Sequence, residues 1–223
     1  MGRIFNMDNK FFIFMGRVGD LIILNILCLV CCIPVITIGA SLTSLFYVTL
    51  KMVRNEESYI VRSFFKAFRQ NFRQATIMNI IFLVMSVILY MDITIIGQMG
   101  GITSKVFVCL FALIGTLFAM TYLYAYPILS KFYNTIRGTL QNAILMAIRH
   151  LPYTIIMLVI AALPFAGFFM APSARFQATV LMLMFFVGGA VVAYLNSIFL
   201  VKIFDKYIPE ETAAPADETI SNE

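Results

Sequence analysis

Four long apolar runs, residues 74–96, 106–129, 153–171 and 177–201, dominate the chain. A helix that crosses the hydrocarbon core of a bilayer needs about 20 apolar residues, within a range of about 17–25. Each run has that length, and the strong interruptions are Asp92, Pro127 and Pro164. Charged residues make up 12% of the 223 positions and hydrophobic ones 61%. A soluble domain carries about 25% charged residues. The few charges are clumped between the apolar runs, so too little polar surface exists to cover a soluble exterior. This excludes a soluble globule, a disordered chain and a nucleic-acid-binding domain. The fold class is all-α, a polytopic helical membrane bundle.

Residues 18–50 form a longer apolar stretch, too long for one ordinary span and short for two. Pro34 has no amide proton and its ring obstructs the preceding turn. With Gly39 shortly after it, the stretch is expected to break at 33–39 and form a hairpin of two segments, 18–33 and 38–52. The total is then six membrane segments, with both chain ends on one side. Of the 16 Lys and Arg residues, only Lys105 and Arg175 fall on the other side. A single helix over 18–50 would also move Arg3, Lys10 and Arg17 there. Basic residues concentrate in cytoplasmic loops, which favours the hairpin with N-in and C-in topology. The first two segments are short, so one or both are candidates for a tilted or re-entrant path.

The net charge of +5 is the excess of cations that flank these spans. The N-terminal segment leads into the first apolar run without a small-residue cleavage site, and reads as a first span and not a signal peptide. Residues 1–207 read as a single transmembrane domain. The tail 208–223 carries Glu210, Glu211, Asp217, Glu218 and Glu223 among Pro, Ala, Thr and Ser, a mix expected to stay disordered.

Between the second and third segments lies a basic stretch, 58–73. Val61, Phe65, Phe68 and Phe72 recur on one helical stripe, and Arg62, Lys66, Arg69 and Arg73 on the adjacent one. This pattern predicts an amphipathic helix in the headgroup region, with membrane lipids as partners. Each cation near anionic lipid contributes about 1 kcal/mol. Residues 61–80 also echo 140–159 weakly, as two blocks of descending span, basic helix and ascending span.

Few residues point to chemistry. Cys28, Cys31 and Cys32 lie among Leu and Val, where a thiol is inert and packs as a small apolar group. His150 stands alone and cannot complete a zinc ligand set. Asp92 is a carboxylate near the end of the third span. Such a residue marks either a functional site or an interfacial anchor, and its distance from Gly97 leaves both open. Asp20 has Arg17 one turn earlier as a candidate partner. Asn25, Thr37, Ser41, Thr43, Ser44, Asn79 and Asn196 need partners within the membrane. Gly188, Gly189, Ala190, Ala193 and Ser197 form a small-residue face suited to close helix approach. No phosphate-cradling loop, Ser/His/Asp set or pair of embedded carboxylates occurs, so no enzyme activity, cofactor or metal is expected.

The run Leu24-Asn25…Ile33-Pro34-Val35-Ile36-Thr37-Ile38-Gly39-Ala40 carries a resemblance. Together with Phe64…Phe68-Arg69-Gln70-Asn71-Phe72 and Tyr126-Pro127…Asn134…Asn142-Ala143, it resembles the YesL-like family of bacterial multi-span membrane proteins, a domain of unknown function. The resemblance covers about 18–207. It implies a bacterial cytoplasmic-membrane location and a link to carbohydrate ABC importers, whose genes often neighbour the family. With Thr37 in the same motif, Pro34 and Gly39 would set the bend. Asn25 would be a buried hydrogen-bonding residue near that bend, and Asn71, before Phe72, would end the basic helix. It carries over no catalytic residue. The expected function is an accessory or partner subunit of such an importer, touching its permease subunits. The alternatives are a stand-alone small-solute transporter or channel, and a membrane-bound regulatory scaffold that uses the basic helix.

Overall fold

The computed structural model describes residues 10–56, 59–98, 101–132 and 134–207. Arg3 and the tail 208–223 lie outside the described residues. The described residues fold as helices: α1 (Lys10–Cys32), a short 3-10 turn (Val35–Thr37), α2 (Ile38–Val53), α3 (Ile60–Gln98), α4 (Gly101–Lys131), α5 (Ile136–Arg149), α6 (Leu151–Phe169), α7 (Ala174–Leu183), a π-helical turn (Met184–Gly188) and α8 (Gly189–Phe204). Among them are six helices long and apolar enough to cross a membrane, with α7, the π turn and α8 counted as one.

The break between α1 and α2 falls where the proline places it. Pro34 has an extended backbone, with φ −75° and ψ 121°, and α1 has ended two residues earlier. The carbonyls freed there need donors, because lipid supplies none. Thr37 shares its hydroxyl between the Cys31 carbonyl at 2.6 Å and the Pro34 carbonyl at 2.7 Å. Asn79 of α3 donates its amide to the Val35 carbonyl at 2.9 Å.

The span that contains α2 is the innermost. In that span, Val35–Val53, 61% of the most apolar 18-residue window is buried inside the protein, and in no other candidate span does that share exceed 22%. At 16 residues α2 is about 24 Å long. Its sequence explains its place: Gly39, Ala40, Ser41, Thr43 and Ser44 let neighbours approach closely. The hydroxyls of Ser41, Thr43 and Ser44 donate to the carbonyls of Thr37, Gly39 and Ala40 one turn back, so they enter the core already satisfied. Thr49 and Ser197 pair across to α8 at 2.8 Å. Both short segments are therefore helices of the bundle, and α2 is its axis.

The basic stretch is helical, but it is not a separate shelf. It is the first third of α3, an unbroken helix of 39 residues, about 58 Å long. The hydrocarbon core is about 30 Å thick, so α3 overruns it, and its basic portion stands out from the span. Asn71 does not end a helix there. Its amide donates to the Ala67 carbonyl at 3.1 Å, within the continuous helix. The buried stripe is Phe64, Ala67, Ala75, Met78, Asn79 and Phe82, which leaves Val61 and Phe65 each 48% exposed. In the second block the corresponding helices stay separate. His150 lies between α5 and α6 with φ −115° and ψ 39°, and Pro152 occupies the first turn of α6.

Burial is concentrated toward one end of the bundle. The buried residues of α4 run from Met120 to Leu129, those of α8 from Ala190 to Phe204, and α6 contributes Thr154 and Met157. Toward the other end, the first half of α4 and most of α6 and α7 are exposed. The chain thus forms a packed base, from which an α3–α4 arm and an α6–α7 arm extend.

The base is where the cations collect. Arg54 pairs with Asp205, Lys51 with Glu56 at 3.9 Å, and Gln74 donates to the Asn134 carbonyl at 3.2 Å. Arg17 does not pair with Asp20; its guanidinium donates to Tyr194 Oη at 3.2 Å and to Asn55. His150 Nε2 lies 3.1 Å from Tyr207 Oη. Burial, followed by the nearby Lys206 and Arg149 charges, holds its pKa below the usual histidine value, which favours the neutral ring.

Candidate functional site

Between the two arms lies a cavity of about 680 Å³. Leu29 of α1, Leu45 of α2, Phe118 of α4 and Leu158 of α6 are typical of its wall, and no charged side chain lines it. Polar groups come from Asn25, Ser86, Tyr122, Tyr126, Asn196 and the thiols of Cys28 and Cys32.

Asn25 is held by an irregularity in the last span. From α1, Asn25 reaches the carbonyl of 185 within the π turn and the amide of 190 just after it. Its Nδ2 donates to the Phe185 carbonyl at 2.7 Å, and the Ala190 amide donates to its Oδ1 at 2.9 Å. Such π turns cluster at functional sites. The approach requires glycine: a Cβ on Gly189 would lie 2.9 Å from Asn25 Oδ1. The residue is thus buried and hydrogen-bonded, but its partners are in the last span and not at the Pro34 bend.

The bend communicates with the cavity through one side chain. Asn79 donates to the bend at Val35, and its Oδ1 accepts from Tyr126 Oη at 3.4 Å. Tyr126 lines the cavity and packs edge-on against Tyr122, with ring centroids 5.1 Å apart. Pro34, Thr37 and Gly39 are gathered at the bend. Gly39 allows α2 to touch α3, since a Cβ there would stand 2.4 Å from the Ala75 carbonyl oxygen.

The remaining candidates lie elsewhere. Arg62, Phe65, Lys66, Arg69, Phe72 and Arg73 are exposed on the basic part of α3, and Phe68 is half-buried against Phe64 with ring centroids 6.2 Å apart. Asp92 is half-buried near the far end of α3, away from the cavity wall, and takes part in neither of the described ion pairs. The small-residue face is used inside the chain. Ala190, Ala193 and Ser197 are buried, and Gly189 meets Asn25. Cys28 and Cys32 lie one turn apart with sulfurs 3.9 Å from each other. The π turn was hidden from sequence reasoning, although the Gly188-Gly189 pair beside it was the available signal.

Six long apolar helices, a packed base and an open apolar cavity between the arms define a polytopic helical membrane protein. Residues 21–93, from α1 through most of α3, match the family described as "Protein of unknown function, DUF624". The match takes in the bend, all of α2 and the basic part of α3. No curated protein and no solved structure matches the chain.

Proposed function

We propose that this chain is a non-catalytic accessory subunit for carbohydrate ABC import in the bacterial cytoplasmic membrane, with both ends in the cytoplasm. The YesL-like resemblance supplies the importer link, and the match to a family of unknown function over residues 21–93 is compatible with it. The sidedness rests on the cations gathered at the base. The observation that carries the accessory role is the apolar character of the cavity. A sugar presents many hydroxyls that need partners, and this wall offers few and carries no charge. Of the three amides that could line a polar path, Asn25 and Asn79 are already committed to backbone carbonyls. That speaks against a stand-alone sugar carrier. The exposed apolar flanks of α6 and α7, including Leu163, Phe169 and Leu181, offer area for an importer's permease subunits. Affinity isolation of the intact protein from native membranes in mild detergent is expected to bring down those subunits. Recovery of self-contacts alone, or sugar flux through proteoliposomes holding only this chain, would remove the accessory reading.

A further inference from the structure

We propose that the acidic segment 208–223 docks back along α5, seated in a groove at the base of the molecule. This is independent of the importer reading. The groove runs between α5 and the end of α4 and holds about 480 Å³. Ile128, Phe132, Leu145, Met146 and Ile148 form its apolar wall, and Asn134, Asn142 and Arg149 add polar groups. Tyr207 lines it too, so the 16 residues that follow set out from the groove itself. Tyr207 is held there by His150 Nε2, 3.1 Å from its Oη, and by the Arg149 guanidinium, 5.7 Å from its ring centroid.

Charge selects this segment as the occupant. It carries five of the 11 acidic residues of the chain, Glu210, Glu211, Asp217, Glu218 and Glu223, and none of the 16 Lys and Arg. Among the described residues the ion pairs are Lys51–Glu56 and Arg54–Asp205, which leaves Arg149 at the groove without a carboxylate. Spacing gives the register. Glu210 and Glu211 follow Tyr207 by three and four residues, a reach of about 10–14 Å that brings them to Arg149. Arg137 shares an exposed stripe of α5 with Gln141, Ile144, Leu145 and Ile148, and lies about 18 Å from Arg149 along the helix axis. Asp217 comes six residues after Glu211, about 20 Å of extended chain. One acidic pair therefore meets each cation. Between the pairs, Thr212-Ala213-Ala214-Pro215-Ala216 is small enough to lie over Ile144, Leu145 and Ile148, which are 43%, 64% and 50% exposed. The carboxamides of Asn134 and Asn142 can bond the backbone of an extended strand, whose N–H and C=O groups need partners.

The full-length protein, with benzoylphenylalanine in place of Ala213, would be irradiated in zwitterionic nanodiscs and the crosslinks mapped by mass spectrometry. A mixture of isotopically light and heavy protein separates crosslinks within one chain from those between copies. Crosslinks within one chain are expected on Leu145, Met146 and Ile148. Replacing Glu210, Glu211, Asp217 and Glu218 together with Lys alters no described residue and should lower their yield at least about fivefold, as exposed ion pairs are lost and like charges meet. Arg137→Glu with Arg149→Glu should do the same. The two sets combined should restore the yield, because the charges are exchanged and not lost. Salt at about 1 M, where the screening length falls to about 3 Å, should lower the yield of the unaltered chain. An undiminished yield from the Lys-substituted segment would overturn the proposal. So would crosslinks concentrated on the basic part of α3, on lipid or between copies, or failure of the combined exchange to restore the yield.

Discussion

Gly39 and Asn25 do most to hold the bundle in this arrangement. A methyl group at position 39 would meet the backbone of α3 at Ala75, which cannot swing aside as a side chain could. Gly39→Ala is therefore expected to push α2 off α3 and destabilise the protein by about 1–3 kcal/mol, the usual cost of overpacking. A lowered thermal midpoint in detergent measures it, and an unchanged midpoint would mean that the contact is not tight. Asn25→Leu keeps the volume but strands the Ala190 amide and the Phe185 carbonyl. Each orphan costs about 1–3 kcal/mol. Faster amide hydrogen exchange confined to residues 184–190 should accompany the loss of stability. The bend at Pro34 was legible in the sequence because its chemistry is local: a missing N–H, a nearby hydroxyl and a glycine. The partners of Asn25 were not legible, because they lie about 160 residues away in the chain.

At the scale of elements, α3 is where the sequence reading and the structure diverge. The stripe of Val61, Phe65, Phe68 and Phe72 read as a membrane-facing ridge. The face that packs is one position away, through Phe64 and Ala67, and it continues without a break into Ala75, Met78 and Phe82. Following that period across position 73 would have shown a single helix. Cutting the chain where the cations stop created a boundary that the backbone does not have. The cations themselves are exposed, as the amphipathic pattern required. Replacing Arg62, Lys66, Arg69 and Arg73 together with Glu is expected to weaken retention of anionic lipid at least about tenfold, given about 1 kcal/mol for each cation at the surface. Native mass spectrometry of protein with bound lipid reads this directly. Undiminished retention would leave the basic part of α3 with no lipid role. The short α2 teaches the complementary lesson. Its length pointed to a marginal segment, but its small and hydroxylated residues suit a central position, where backbone approach matters more than reach.

For the whole molecule, the testable property is sidedness. The base holds Arg17, Lys51, Arg54, Lys131, Arg149 and Lys202, whereas Lys105 and Arg175 belong to the far ends of the two arms. Reporter tags on the two termini are expected to signal from the same, cytoplasmic side, and a cysteine introduced at Lys105 should react with an impermeant thiol reagent from outside. Termini on opposite sides would mean an odd number of crossings. The sequence by itself determined the solvent, the number of long apolar helices and the place of the proline break. Each of these follows from properties summed along contiguous residues: hydropathy over a span, or the geometry of one ring. Only the tertiary structure decided that α2 is the axis, that Asn25 bonds to a π turn in the last span, and that an apolar cavity opens between two arms. In a bilayer, transfer from water no longer sorts one helix face from another. Helix neighbours are chosen by close packing and by pairing of scattered polar groups, and both depend on residues that meet only after the chain has folded.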